Sequence, residues 1–574
     1  MIVPMSFPWR LACASILAAG LAAVSLTAQA ARDRSSTVDV QVLAINDFHG
    51  ALEPPAGANG RVAGTAAGGV EYLATHLSRL KASHPNSILV SAGDNLGGTP
   101  LLSSLFHDEA AVEALNLTGL ELSAVGNHDL DEGWWELYRM TKGGCHPVDG
   151  CQDGTPFDGA RFSYLSANIS LDPRKSDPAR LAAAGITGTR VRPLFTPYVI
   201  REFEGVKVGF IGLTLRGAPR IIMPESTRGL TFSPEPAAAN TAAAELRRRG
   251  VDAIVVMMHE GGVQKGTDPD GCEGISSDIV SLVNQMSNDI DVVVSGHSHA
   301  AYNCAIGTKL LTSASSSGRV VTDIELTLQR GSGRLVAKHA RNIIVSRDVD
   351  PSPTVTALIA HYRPLVAKVG DRVVGTVTAT LPRAFNDAGE SALGDVVADG
   401  MLEMARNTPG AGGDVAFMNQ GGLRSDLAAT AGAVPSPVTY AQLFEVLPFG
   451  NVVVAKTLTG DGLVQMLEQQ FGADGRFRIL QPSAGFTYAY DTTRPRGERV
   501  DRASIRINGA PLVPGAKYRV VSIDFIWNGG DEFGIGPSAT DPVTVGTDVD
   551  AFEAFVTKHS PVAPGPRDRV RKLR

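Results

Sequence analysis

The chain reads as a layered α/β protein followed by a second α/β domain, on three observations. Short β-branched runs alternate with helical patterns from residue 38 to residue 330, the rhythm of stacked helix and sheet layers. That rhythm breaks at the proline-containing stretch Val349 to Pro353. The full length of 574 residues also exceeds the roughly 250 to 300 that one core organises, so two large domains are expected.

Taken in order, Val38 to Ile45, Ser87 to Val90, Leu122 to Val125, Val206 to Leu213, Asp252 to Met258 and Ile290 to Val294 read as buried strands. Between the first two, Val70, Leu73, Leu77 and Leu80 recur at the spacing of one helix face. Pro236 to Arg249 is a second helix, closed by Gly250. Pro54 to Gly69 is rich in Gly and Ala, follows neither period and reads as a long surface loop. After the break, Thr354 to Lys368 resembles a connecting helix, which sets expected boundaries of 31–350, 351–369 and 370–565 for first domain, linker and second domain. In the last of these, Asp414 to Met418, Val452 to Leu458, Phe486 to Tyr490 and Ser504 to Ile507 are strands, and Asn508-Gly509 is a hairpin turn.

Residues 1–30 read as a secretory signal peptide. Arg10 is the only charge before Arg32, the run Leu11 to Leu26 is apolar, and the small-residue stretch Ala28 to Ala30 suits cleavage. The apolar run falls short of the roughly 20 residues a spanning helix needs. A periplasmic or extracellular protein without a membrane span is expected. Cys13 leaves with the signal, and the remaining even set in an oxidising compartment favours disulfides. The short Cys145 to Cys151 loop suggests a local bridge, leaving Cys272 to pair with Cys304. A zinc-thiolate site is disfavoured because it uses two close cysteine pairs and only one is present.

With 43% hydrophobic and 19% charged residues the chain can bury full-sized cores. A formal net charge of -7 excludes the broad basic surface of a duplex-binding protein.

The informative polar residues all follow apolar strand runs: Asp47 and His49, Asp94, Asn127 and His128, His259, then His297 and His299. In open α/β sheets ligands bind beyond the carboxyl ends of strands, so these loops can converge on one site. Each piece alone has an ordinary reading: a turn aspartate at Asp94, a capping Asn127, a satisfied histidine at His259. Their occurrence in order, each after a strand, favours a common site. Imidazoles, carboxylates and one amide oxygen without thiolates suit two divalent ions of the Zn, Mn, Fe or Co type. Such a pair can share one carboxylate, for which Asp94 is the candidate, and hold a hydroxide for in-line displacement at phosphorus.

The blocks Asp47-x-His49, Gly93-Asp94, Gly126-Asn127-His128-Asp129, His259-Glu260-Gly261 and Gly296-His297-Ser298-His299 resemble, in order, those of the calcineurin-like metallophosphoesterases and, within them, the secreted 5′-nucleotidases. The resemblance implies a four-layer α-β-β-α sandwich with a C-terminal nucleotide-binding domain. It implies that one metal takes Asp47, His49, Asp94 and His299 and the other Asp94, Asn127, His259 and His297. His128 would stabilise the transition state and protonate the leaving alkoxide, held by Asp131. Some members carry Gln where His299 stands.

The second half is similar to the same family. Asn419 to Arg424 resembles the block whose Asn and Arg contact the nucleotide, while Leu447 to Gly450 and Phe525 to Asp531 resemble those whose Phe449 and Phe525 sandwich the base and whose Asp531 binds the ribose. One departure is that the additional arginines some members place just before Glu390 to Asp395 are absent, Arg383 being the nearest. The resemblance implies an enzyme that releases phosphate from nucleoside 5′-monophosphates, and the missing arginines leave 2′,3′-cyclic nucleotides and nucleotide sugars as alternative substrates; with the signal peptide, an exported enzyme is expected, acting as a monomer. An exported nucleotide-binding protein is the rival outside catalysis, and it predicts a damaged ligand set.

Overall fold

The computed structural model describes residues 36–574 apart from 56, 252, 473 and 474. The signal peptide expected in residues 1–30 lies outside the described residues. In chain order the main strands of the first half are β1 (Thr37–Ile45), β2 (Ser87–Ser91), β3 (Leu122–Ala124), β4 (Ser163–Leu165), β5 (Tyr198–Phe203), β6 (Val206–Thr214), β7 (Ala253–His259), β8 (Val292–Ser295), β9 (Ala301–Ile306), β10 (Lys309–Ala314), β11 (Val320–Gln329) and β12 (Leu335–Ile344). They form two six-stranded sheets, ordered β12-β11-β1-β2-β3-β4 and β9-β10-β8-β7-β6-β5. Strands β1 to β4 run parallel, as do β6, β7, β8 and β10. Their carboxyl ends consequently share one edge of each sheet.

Side-chain alternation sorts the apolar residues into layers. Val42 and Ala44 of β1 share a core with Val208 and Phe210 of β6, the filling between the sheets. Their neighbours Leu43 and Ile45 pack instead with Val70, Leu73 and Leu77 of helix α1 (Val70–Ala82). On the outer side of the second sheet, Ile211 and Leu213 meet Ala239, Ala243 and Leu246 of helix α2 (Glu235–Arg248). The first half is thus a four-layer sandwich of helices, sheet, sheet and helices. Strands buried on both faces explain why the sequence reads as continuous apolar runs rather than strict alternation.

The hairpin β11-β12 was not anticipated, because β12 is half exposed and carries Lys338, His339 and Arg341. The expected loop 54–69 holds a 3-10 turn, Gly57–Gly60, and a two-residue strand pair closed by Ala63 and Gly64, both with positive φ. Asn508 and Gly509, at φ 50° and 81°, make the expected hairpin turn after Val500–Ile507.

Helix α3 (Pro353–Gly370) sends Val355, Ile359, Tyr362 and Val366 into the core of the first half. Beyond it, β13 (Val415–Met418), β14 (Val452–Thr459), β15 (Gln481–Pro482), β16 (Lys517–Ile523) and β17 (Thr540–Thr547) form a sheet ordered β15-β13-β16-β14-β17. A separate core that includes Phe417, Leu467, Val521 and Phe552 surrounds it. No helix of the described residues is long and apolar enough to cross a membrane.

Cys145 is bonded to Cys151 and Cys272 to Cys304. The second bridge ties buried Cys304 of β9 across 32 positions to the segment before Ser277–Asn284. Replacing both of its cysteines by Ser is expected to lower unfolding stability by about 2 to 4 kcal/mol, measured by denaturant titration. An unchanged midpoint would mean that packing alone holds this edge.

Candidate active site

The convergence expected from the sequence is present. Asp47 and His49 follow β1, Asp94 follows β2, Asn127 and His128 follow β3, His259 ends β7, and His297 and His299 follow β8. Five of these residues turn the chain through left-handed backbone: Asp47 at φ 49°, His49 at 46°, Asp94 at 52°, His297 at 68° and His299 at 55°. Side chains other than Gly seldom take that region, and they do so where surrounding bonds over-determine the conformation.

Two donor groups result: Asp47, His49 and His299, and Asp94, His259 and His297, each able to bring its ligand atoms within 4.8 Å of one another. His49 Nε2 lies 3.0 Å from His299 Nε2, and His299 Nε2 lies 3.3 Å from Asp47 Oδ1. Asp94 Oδ2 stands between the groups, 3.0 Å from His259 Nε2 and 3.7 Å from His49 Nε2. It is buried and makes no hydrogen bond of acceptable geometry. Asn127 does not cap a helix with its side chain; its Oδ1 is 3.1 Å from His259 Nε2. An orphaned carboxylate oxygen among converging imidazoles fits a pair of divalent cations, because each cation would satisfy groups that otherwise lack partners.

The imidazoles are oriented from behind. His49 Nδ1 donates to Gly97 O at 2.8 Å and His259 Nδ1 to Ala92 O at 2.9 Å, which fixes the tautomer that leaves Nε2 facing the centre. Asp129 is the residue that motif reading passed over. Its Oδ2 accepts the backbone N–H groups of Asp94 (3.0 Å) and Gly126 (2.7 Å), and its Oδ1 those of Asn95 (3.0 Å) and Leu96 (3.1 Å). One buried carboxylate thereby binds the β2 loop to the β3 loop. Gly126 permits the approach, since a Cβ there would lie 2.0 Å from Asp94 Oδ1.

Electrostatics follow from burial and proximity. Burial pushes Asp47 up, but His299 outweighs it and holds the carboxyl at about 2. Burial pushes His259 down, yet Asp94 holds it protonated up to about 10. His297 is driven to about 3 by burial and by His259. A divalent cation beside Asp94 would take over the charge compensation that protonated His259 otherwise gives it. His128 stands apart from this set: its Nδ1 is 2.8 Å from Asp131 Oδ2, and its backbone N–H donates to Asp94 Oδ1 at 2.8 Å. Burial lowers its pKa, but Asp131 and Asp94 raise it above the ordinary histidine value.

A cavity of about 350 Å³ opens beside these groups. Asn127, His128, Asp131 and His297 line it from the first half, and Asn419, Arg424, Phe449, Phe525 and Asp531 from the second. Asn419 lies just beyond β13, Phe525 just beyond β16 and Phe449 shortly before β14. The Phe449 ring is nearly parallel to that of His128, with centroids 5.4 Å apart, and the Arg424 guanidinium lies 5.6 Å from the Phe449 centroid. Asn419 Nδ2 donates to Asp531 Oδ2 at 2.8 Å. Every residue singled out from the sequence for substrate contact therefore lines one cavity. Arg476 and Arg478 also line it, and no local pattern marked them. Arg383 lines a neighbouring cavity with His49, His299 and Arg424, and donates to Arg424 O at 2.8 Å.

Donor groups of this kind, set at the strand ends of a double-sheet sandwich, suit a metal-dependent hydrolase. Residues 40–301 match the calcineurin-like phosphoesterase family, and residues 373–535 match the 5′-nucleotidase C-terminal domain. The chain is 30% identical over 546 residues to endonuclease YhcR of Bacillus subtilis, covering 93% of this chain and 41% of that protein. It is also 30% identical over 557 residues to cell wall protein Lmo0130 of Listeria monocytogenes, covering 92% of this chain and 68% of that one. The structure of a 5′-nucleotidase precursor from Thermus thermophilus is similar at a TM-score of 0.76 and 26% identity, covering 93% of this chain and 99% of that one. The chain belongs to the calcineurin-like phosphoesterases that carry a 5′-nucleotidase C-terminal domain, and it is a phosphoester hydrolase.

Proposed function

We propose that the protein is an exported, dinuclear enzyme that hydrolyses nucleoside 5′-monophosphates to nucleoside and phosphate. The observation that carries this reading is the shared cavity, with phosphoryl chemistry on one wall and an aromatic and polar nucleoside cradle on the other. Asp47, His49, His299 and Asp94 would hold one divalent ion, and Asp94, Asn127, His259 and His297 the second. Ions so held polarise a phosphoryl group and supply an activated water. His128 donates its Nε2 proton to the departing ribose oxygen, and Asp131 keeps the ring oriented and protonated. Arg424 offers paired N–H groups to the phosphate. Phe449 and Phe525 clamp the base, Asp531 accepts from the ribose hydroxyls, and Asn419 contacts the nucleotide while orienting that carboxylate.

Truncating both Phe449 and Phe525 to Ala is expected to cut kcat/KM for AMP by about 10² or more, as loss of two stacking platforms should. Glycerol phosphate, which has no base, should stay within about threefold. Matching losses on the two substrates, with an early melting transition, would assign the rings to the core. Survival of AMP turnover in the double variant would remove the nucleotide assignment and leave the phosphoesterase intact.

A further inference from the structure

A third group of metal-ligand side chains lies outside the two at the centre. His107, Glu132 and His146 can each bring one ligand atom within 4.8 Å of the others, and they come from three separate segments. His107 stands in the turn after the short helix Leu101–Ser104, in left-handed backbone at φ 48°. Its neighbour Asp108 fixes that turn by accepting from Gly97 N–H at 2.8 Å, Thr99 Oγ1 at 2.6 Å and Ser103 Oγ at 2.9 Å. Glu132 follows Asp131 and precedes the helix Trp134–Lys142. His146 sits in the loop closed by the Cys145–Cys151 bridge, which also supplies Asp149.

The contacts sort the ring nitrogens. His107 Nδ1 lies 2.9 Å from Glu132 Oε2, and His107 Nε2 lies 2.9 Å from Asp149 Oδ2. His146 Nδ1 meets Asp149 twice, at 3.2 Å from its backbone N and 3.2 Å from its Oδ2. Asp149 therefore faces one nitrogen of each imidazole, which leaves His107 Nδ1 and His146 Nε2 for a cation beside Glu132. Gly97 O and Ala92 O stand behind His49 and His259 in the same way. The two rings stack, with centroids 3.7 Å apart and planes 16° apart. A proton on His107 satisfies that ring alone, because charging His146 as well would stack two cations; one divalent ion can serve both rings. Two imidazoles and a carboxylate without a thiolate suit an ion of the zinc type, with water completing its coordination. The rings are largely covered, whereas the Glu132 and Asp149 side chains are 48% and 46% exposed, so an ion can enter from solvent on the carboxylate side. We propose that His107, Glu132 and His146 form a third divalent-cation site of the zinc type, positioned by Asp149. The ion would clamp the bridge-closed loop to the turn at His107 and to the segment that carries Asp131.

The test reads zinc content and melting temperature of the full chain after equilibration with zinc and removal of the free ion. His107→Ala/His146→Ala is expected to hold one zinc per chain fewer than the unsubstituted protein. The same difference is expected when both proteins also carry Asp94→Asn, so the count does not depend on the dinuclear reading of the centre. In that background zinc should raise the melting temperature while the two histidines are present and not once they are gone. Asp149→Asn should keep the ion but weaken its affinity by about 10- to 100-fold; undiminished affinity would overturn the positioning role. Equal zinc content with and without the two histidines would overturn the site, reducing the cluster to an ion pair of His107 with its carboxylates. Should the double variant fail to melt cooperatively, His146→Ala alone, from the exposed loop, is expected to weaken zinc binding by about tenfold or more. Unchanged affinity there would overturn the proposal equally.

Discussion

Replacing Asp94 by Asn is expected to abolish turnover and to lower bound metal at both positions together. Its Oδ2 lies within 3.0 Å of His259 Nε2 and 3.7 Å of His49 Nε2, one histidine from each donor group. The amide removes the charge that both cations would share while keeping the size of the side chain. Its other oxygen accepts from the His128 backbone at 2.8 Å, a bond an amide oxygen can still make, so the fold should survive. Metal analysis alongside a melting curve decides the matter. Wild-type metal content with near-normal rate would exclude the bridging role, and loss of one ion alone would assign Asp94 to a single position.

The second large effect is expected at His128. His128→Ala should keep both metals and lose about 10² to 10⁴ in kcat on AMP, the usual size of a general-acid contribution. The loss should be smaller on nitrophenyl phosphate, whose leaving group departs without a proton. Equal losses on the two esters would argue against proton donation. Asp131 adds a sign that can be checked. Its carboxylate holds the His128 pKa above the ordinary value, so the acid stays protonated to higher pH. Asp131→Asn should therefore move the alkaline limb of kcat to lower pH.

What the sequence could disclose was set by burial. Strands β1, β6 and β7 are covered on both faces over most of their length, and their stretches 42–45, 208–213 and 253–258 announce themselves as apolar runs. Exposed β12 does not, because Ala340 is its one buried residue and the others stay partly or fully in contact with water. The donor residues were legible together rather than singly: each has an ordinary reading alone, and only their occurrence in order, each after a buried strand, favoured a common site. Asp129 was not, although it stands in the same block as His128, since its task is to collect N–H groups from a loop more than 30 positions away. Arg476 and Arg478 acquire meaning only when Glu260 and Glu532 are brought beside them. Pairings of that kind have no period and no spacing.

The centre is also a constraint on how the chain folds. His49 and His299 meet across 250 positions, as do Asp47 and His297, while Asn127 and His259 meet across 132. Closing loops of that size costs entropy before any contact within the centre rewards it, and long-range contacts of this sort form late. Divalent cations are therefore expected to find no assembled site on a nascent or collapsed chain, to bind after both sheets are in place and to stabilise that product by mass action. Added metal should raise the unfolding midpoint and slow unfolding while leaving the refolding rate unchanged, so that metal uptake marks the completed sandwich rather than its beginning.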